Sequence, residues 1–402
     1  MEAAILEAAP VIARSQTPPP QAARRAVSAL FFLNGVMYAN WVSRIPAIQV
    51  DRGLSHGELG LALLAIALGA LVAMPIAGGW IARVGSARIS RLSTAFFCLL
   101  MPTLALAPNL FLWGIALLAF GMVHGALDVA MNAQAVVVEK RYARPIMSSI
   151  HALFSTGGLV GALMGGAIAA QGIKPLPHFI GVSVLMAVVA AFLLPYLLSG
   201  GESTGRAANA AKPIFTLPPR SLLALGAIGF CVLMGEGAMA DWTGVYLRQT
   251  LSSSEGLAAL GYATFSVAMA GGRFIGDWLT AKLGPVRLVR VSGLLAAVGL
   301  SLSLFSSNPM VALIGFAGVG AGFATVVPII FSAAGRSPNV PSAVALSAVT
   351  SMGYFGFLAG PPLIGFVAEG IGLRGALGLI VGMSLLMVAL ATSVRPPTTV
   401  KD

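Results

Sequence analysis

The sequence predicts an all-α membrane protein with twelve transmembrane helices in two six-helix halves, and three observations predict it. The 402 residues are 57% apolar and only 9% charged, with a mean hydropathy of +0.91. Water-soluble domains carry about 25% charged residues, because solvent must be met over their whole surface. Twelve apolar segments separate along the chain, at roughly 26–43, 58–82, 90–107, 110–138, 146–170, 177–199, 221–247, 256–281, 288–306, 309–333, 341–367 and 372–394. Most reach about 20 residues, enough at ~1.5 Å per residue to cross a hydrocarbon core of about 30 Å. The third observation is that Lys and Arg gather in alternate loops. Together these exclude a soluble enzyme, and they exclude a membrane β-barrel, whose segments would be shorter and alternating.

The elements follow in order. Residues 1–25 contain Glu2, Glu7, three consecutive prolines at Pro18, Pro19 and Pro20, and the pair Arg24 and Arg25. With no apolar run ahead of a small-residue cleavage site, they read as a cytoplasmic tail. Residues 26–199 hold the first six spans, 200–220 form a polar central loop, 221–394 hold the second six, and 395–402 form a second cytoplasmic tail. If the amino terminus is cytoplasmic, eighteen of the 24 Lys and Arg residues fall inside, including Arg83, Arg88, Lys140, Arg141, Arg220 and Lys282. Arg44, Arg52, Lys174, Arg248 and Arg374 fall outside, and Arg273 lies within a span. That bias places both termini in the cytoplasm. The net charge of +11 is therefore an orientation signal and calls for no nucleic-acid partner. Cys98 and Cys231 sit inside apolar runs and read as ordinary buried thiols.

A shift of about 200 residues brings the halves into partial register. Ala39-Asn40-Trp41 meets Ala240-Asp241-Trp242, Arg83-Val84-Gly85 meets Lys282-Leu283-Gly284, and Ser155-Thr156-Gly157 meets Ser351-Met352-Gly353. A parallel repeat of six plus six is the pattern of transporters whose substrate sits between the halves near the bilayer midplane.

The loop Gly78-Gly79-Trp80-Ile81-Ala82-Arg83-Val84-Gly85-Ser86-Ala87-Arg88 resembles the signature loop of the major facilitator superfamily, with Ala82 and Ala87 in place of its usual acid and first base. Gly272-Arg273-Phe274-Ile275-Gly276-Asp277-Trp278 resembles the second copy of that pattern. More narrowly, His151 to Gly161, Glu236 to Trp242 and Gly360 to Gly365 resemble a YbjJ/MosC-like bacterial branch, and more distantly the fucose permeases. The likeness covers about residues 26–394. It implies a secondary transporter of a bacterial inner membrane, without cofactor, working as a monomer on a small-molecule substrate and protons. In fucose-permease-like carriers an acid in the fourth span, followed four residues later by asparagine, lies in the sugar and proton region; Asp128 and Asn132 match that spacing. The acid those carriers have in the first span is Asn40 here.

Placing a carboxylate in hydrocarbon costs about 3 kcal/mol even on lenient scales, so acids within spans are candidates for function. Asp128, Glu236, Asp241 and Asp277 qualify. His124, Asp128 and Asn132 recur every four residues and share one helical face, drifting about 40° per step. Either Asp128 accepts a proton while Asn132 and His124 contact substrate, or the three form an interhelical network that fixes packing. Glu236 and Asp241 are five apart, about 140° around a regular helix, and the flanking Gly235 and Gly237 permit a break. Glu236 is assigned to the cavity as a second proton-coupling acid, and Asp241 to a gate or cap. Trp41 and Trp242 hold equivalent repeat positions and read as interfacial anchors, with substrate stacking by Trp242 as the alternative. Arg273 and Asp277, four apart, are expected to form a salt bridge that closes an inner gate, alongside the loop arginines Arg83 and Arg88. His151 and Ser155 share a face and are expected to line the cavity, as is Asn40. Gly157, Gly161 and Gly165 have close-packing spacing.

No Gly-Lys dipeptide occurs anywhere in the chain, so it has no phosphate-cradling loop of the usual form. The reading is a secondary transporter of a small polar solute such as a sugar, an inositol or an amino-sugar derivative, driven by proton symport. The alternatives are a proton-antiport exporter of metabolites or drugs, and a non-transporting membrane receptor with the same fold.

Overall fold

A computed structural model describes residues 21–142, 146–198, 222–337, 340 and 342–395. The central loop expected at 200–220 and most of both expected tails lie outside these residues. The amino half runs α1 (Gln21–Arg52), α2 (His56–Val84), α3 (Ser86–Leu100), the short α4 (Thr103–Leu106), α5 (Leu110–Tyr142), α6 (Met147–Ala170) and α7 (Pro175–Leu193). The carboxy half runs α8 (Leu223–Val245), α9 (Glu255–Leu283), α10 (Pro285–Phe305), α11 (Pro309–Phe323), α12 (Val326–Gly335) and α13 (Ser342–Leu390). Two crossings meet within α13 at Gly372, whose φ of 75° and ψ of 161° are not helical. The third crossing is α3 followed by α4, interrupted at Pro102. The tenth is α11 followed by α12. Its break at Ala324–Thr325 precedes Pro328, which has no N–H to return to the carbonyl four residues earlier. This gives twelve crossings among the described residues.

Ten stretches are long and apolar enough to cross a membrane, the last of them, Ala348–Val394, containing two crossings. The helix α9 is the polar exception, because Glu255, Arg273, Asp277 and Lys282 all lie on it.

The repeat seen in the sequence is built into the backbone. Six described residues have positive φ, and they form three pairs: Gly53 with Ser252, Gly85 with Gly284, and Gly172 with Gly372. Helix starts pair in the same way. Ser55 caps α2 and accepts a hydrogen bond from Glu58 N, while Ser254 caps α9 and accepts one from Leu257 N. Asn109 Oδ1 accepts from Leu112 N at the start of α5, as Asn308 Oδ1 does from Met310 N at the start of α11. Packing pairs too: α2 lies on α5 as α9 lies on α11, and α1 lies on α6 as α8 lies on α13. A Cβ on Gly121 would strike the Ile66 carbonyl, and one on its counterpart Gly320 would strike the Phe265 carbonyl. Only glycine lets backbones approach so closely, which is how such helices associate where lipid offers no hydrophobic drive. Gly157, Gly161 and Gly165 serve the same purpose, lying against Phe32, Val36 and Ser43 of α1.

The halves meet through α2 on α13 and α6 on α9, with α1 reaching α8 and α9. The identified contacts concentrate at one end of the bundle, the far end, where α1 ends and α2 and α9 begin. There Gln49 pairs with Gln249, Arg44 with Glu255, and Gly57 N–H donates to Glu369. The opposite, near end carries the α2–α3 turn.

Candidate functional site

The crevice between the halves is lined by polar side chains from both. On α5, Asn132 Nδ2 donates to the Asp128 carboxylate at 3.3 Å and to its carbonyl at 2.9 Å. Asp128 is half-buried, and Tyr354 of α13 lies within electrostatic reach of both Asp128 and Glu236. One turn above Asp128, His124 Nδ1 is 3.1 Å from Asn34 Oδ1, and its ring stacks on Tyr38 with centroids 5.1 Å apart. Tyr38 in turn lies within reach of Asp241 and Tyr262 in the carboxy half.

Glu236 and Arg273 form the charged pair of this crevice, with Nη2 and Oε1 3.7 Å apart. The Glu236 side chain is 15% exposed, that of Arg273 46%. Across the crevice His151 of α6, itself exposed, is within reach of the Arg273 charge. Ser155, half-buried, sits one turn further along α6. The structure therefore brings Glu236 and Arg273 together with His151 within reach of their charge, and joins Asn132 to Asp128 on α5.

Other expectations are corrected. Arg273 pairs with Glu236 and not with Asp277; the latter is exposed and has no ion pair among the described residues. The reason is depth, since Arg273 lies nearer the membrane interior, where the buried Glu236 has the greater need of a counter-charge. The helix α8 is unbroken at Glu236, and Gly235 and Gly237 instead admit the rings of Phe323 and Phe357. Asn40 does not face the crevice. It is fully buried within the amino half, donating to Val36 O at 2.8 Å and facing His178 Nε2 at 2.8 Å. Trp41 and Trp242 are also fully buried, so neither is an interfacial anchor and Trp242 presents no face to a substrate here. Trp41 packs among Trp113, Phe120 and Phe179. Arg83 and Arg88 are exposed at the near end and form no ion pair among the described residues.

Tyr38, Tyr262 and Tyr354 were not picked out from the sequence. A phenol in mid-span is a polar tip on an apolar body, and that is the signal that could have found them. Gly53-Leu54-Ser55-His56-Gly57 also has the Gly-x-Ser-x-Gly spacing of a hydrolase nucleophile turn, but Ser55 is occupied as a helix cap, with Glu58 in a reciprocal capping box. No cluster of three metal-ligating side chains occurs among the described residues.

Twelve helical crossings with a parallel six-plus-six repeat are the fold of one large class of secondary membrane transporters. The chain belongs to the Major Facilitator Superfamily, whose family model matches residues 27–345. It is 37% identical over 370 residues to an uncharacterized MFS-type transporter of Yersinia pestis, a match covering 92% of this chain and 94% of that one. It is 35% identical over 366 residues to the membrane protein MosC of Rhizobium meliloti, covering 90% and 88%. Among solved structures it resembles a point mutant of the nucleoside transporter NupG, with a TM-score of 0.75, 12% identity, and coverage of 92% of this chain and 99% of that one.

Proposed function

We propose that the protein is a proton-coupled symporter that carries a small polar solute across the bacterial inner membrane, with Asp128 as the coupling carboxylate. One observation carries this reading: Asp128 stands half-buried in the crevice between the halves, without a cationic partner among the described residues. A carboxylate held in that setting is easily neutralised by a proton, because charge is costly there and no cation offsets it. Asn132 steadies the ionised form through its 3.3 Å hydrogen bond. Binding of proton and solute together would remove the charge that resists closure of the crevice, which ties the two movements.

In this reading the positive-inside bias puts the near end at the cytoplasm, and closure of the far end then corresponds to an inward-open state. Glu236 and Arg273, with His151 across the crevice, form the inner lining of the solute path, and Ser155 with Asn132 supplies hydroxyl and amide contacts. The structural neighbour NupG is named a nucleoside transporter, which supports a polar, hydroxyl-bearing cargo.

The test is uptake into proteoliposomes with an imposed inward proton gradient, using solutes that stabilise the purified protein in a thermal screen of sugars, inositols and amines. Asp128→Asn is expected to abolish gradient-driven accumulation and to retain exchange of solute across the membrane. Full accumulation by Asp128→Asn overturns the assignment.

A further inference from the structure

The start of α1 carries positive charge where a helix does not favour it. Arg24 and Arg25 stand near its amino end, which is itself the positive end of the helix dipole, and its first turn holds no acid. Two other helix starts are built the opposite way, with Glu58 in the first turn of α2 and Glu255 in the first turn of α9. Depth is defined as well. The apolar run of the first span begins at about residue 26, so the two arginines lie where the helix enters hydrocarbon, at the level of lipid head groups.

Both arginines open onto one cavity. It measures about 420 Å³, lies between the near ends of α1 and α5, and is lined by Gln21, Arg24, Arg25 and Ser28 of α1 and Tyr142 of α5. Each of these side chains can donate a hydrogen bond, and none is an acid. Arg24 is held in place. Its guanidinium carbon lies 5.0 Å over the Tyr142 ring, and its Nη2 donates to Ser149 Oγ of α6 at 3.4 Å. Arg25 is exposed and has no hydrogen bond or ion pair among the described residues. Glu139, about one turn before Tyr142, is engaged elsewhere, its Oε2 accepting from the N–H groups of Ile146 and Met147 at 2.8 Å each. Lys140 and Arg141 add two more cations to that turn of α5.

We propose that this cavity binds a phosphate group, with Arg24 and Arg25 as its charged ligands and Ser28 and Tyr142 as hydroxyl donors. Phosphate suits it because a guanidinium fork matches two of its oxygens at once, and because an anion at a helix start offsets both the dipole and the arginines. At this depth the expected source is the head group of an anionic phospholipid, since basic pockets between membrane helices on the cytoplasmic side bind such groups. A bound phosphate ties α1 to α5 within the amino half. The inference is independent of the cargo and of the role given to Asp128.

The experiment uses the purified full-length protein in a neutral detergent and measures melting temperature and, by native mass spectrometry, bound lipid. The probes are dioleoylphosphatidylglycerol, dioleoylphosphatidylcholine and inorganic phosphate. Phosphatidylglycerol is expected to bind and raise the melting temperature more than phosphatidylcholine does, and its affinity is expected to fall about fivefold in Arg24→Gln and again in Arg25→Gln, the effect of one cation near a membrane surface. Arg88→Gln removes an exposed arginine of the same end that does not line the cavity, and it is expected to leave the affinity unchanged. Stabilisation by inorganic phosphate that is lost in the two cavity variants upholds the site and makes its source soluble instead of lipid. The inference is overturned if neither phosphatidylglycerol nor phosphate binds, if phosphatidylcholine stabilises equally, if Arg25→Gln holds the bound probe as tightly as wild type, or if Arg88→Gln weakens it as much. Arg25 is exposed and unpaired among the described residues, so its variant decides the matter even if Arg24→Gln fails to fold.

Discussion

The two ends of the interface between the halves are built differently. At the far end backbones touch: a Cβ on Gly60 of α2 would strike the Pro361 carbonyl of α13, and one on Gly256 of α9 would strike Ala170 of α6. Arg44, Gln49 and Gly57 add direct polar ties to Glu255, Gln249 and Glu369. At the near end the charges of Arg83, Arg88 and Asp277 are exposed, with no ion pair among the described residues. The closed end is thus held mainly by shape and only secondarily by charge. Close packing is all-or-none over a few tenths of an ångström, whereas exposed ion pairs are worth about 0–1 kcal/mol. In an alternating-access cycle this asymmetry assigns the larger share of the closed-far-end stability to glycine contacts.

The sharpest way to break the comparison is therefore Gly60→Leu. A leucine cannot enter where backbones meet, and overpacking of this kind costs about 1–3 kcal/mol or more. The far end should open in most molecules. Spin-label distances between the ends of α2 and α13 should lengthen, and an unchanged distribution would show that the glycine contact does not set the closed state.

Arg44→Gln should come next. Arg44 is 1% exposed, donates to the Ile173 carbonyl, and lies 3.4 Å from Glu255, whose side chain is 36% exposed. The half-open Glu255 end is discounted for screening, so the loss falls mostly on the buried carbonyl bond, about 2 kcal/mol for a charged donor. Melting temperature should fall. A double-mutant cycle with Glu255→Gln should give a coupling well below the single-mutant cost of Arg44→Gln.

A third expectation concerns the crevice. Glu236→Gln removes the partner of Arg273, whose guanidinium is 46% exposed and can be hydrated. The variant should fold with a melting temperature near that of wild type and should transport more slowly, measured as initial uptake rate in proteoliposomes. A large loss of stability with unchanged transport in the surviving protein would assign Glu236 to structure alone.

Much of this was legible in the chain and some was not, for physical reasons. Hydrophobic length gives the crossings apart from the more polar α9, and the repeat of about 200 residues shows in Trp41 with Trp242 and Gly85 with Gly284. The stripe of His124, Asp128 and Asn132 follows from helical periodicity, and the structure joins Asn132 to Asp128 and His124 to Asn34. Pairing between distant segments could not be read. Spacing of four suggested Arg273 with Asp277, yet tertiary depth gave Arg273 to Glu236, 37 residues away in sequence. Asn40 looked like a cavity residue because only its type and span were visible, and its partner His178 is 138 positions off. Trp41 and Trp242 looked like belt residues because tryptophan favours membrane interfaces, but a core between packed helices also takes large rings.

The smallest effect is expected at Gln49 and Gln249, and it is the most informative about symmetry. These two residues are themselves repeat counterparts, 200 positions apart, so their 2.8 Å hydrogen bond joins equivalent points of the two halves. A contact between equivalents lies on the pseudo-twofold axis, where rocking of the halves moves the partners directly apart. The bond is neutral and part-buried, and a neutral hydrogen bond contributes about 1 kcal/mol net. Gln49 also donates to Leu54 O at 3.2 Å, a bond within the amino half that does not change as the halves rock. Gln249→Ala is therefore the clean variant, since it removes the bond across the axis and leaves Gln49 on Leu54. It should shift the ratio of far-end-closed to far-end-open molecules about fivefold with little change in melting temperature, read from the same spin-label distances as Gly60→Leu. If Gln249→Ala moves the population as much as Gly60→Leu, polar ties and not backbone contacts hold the far end shut.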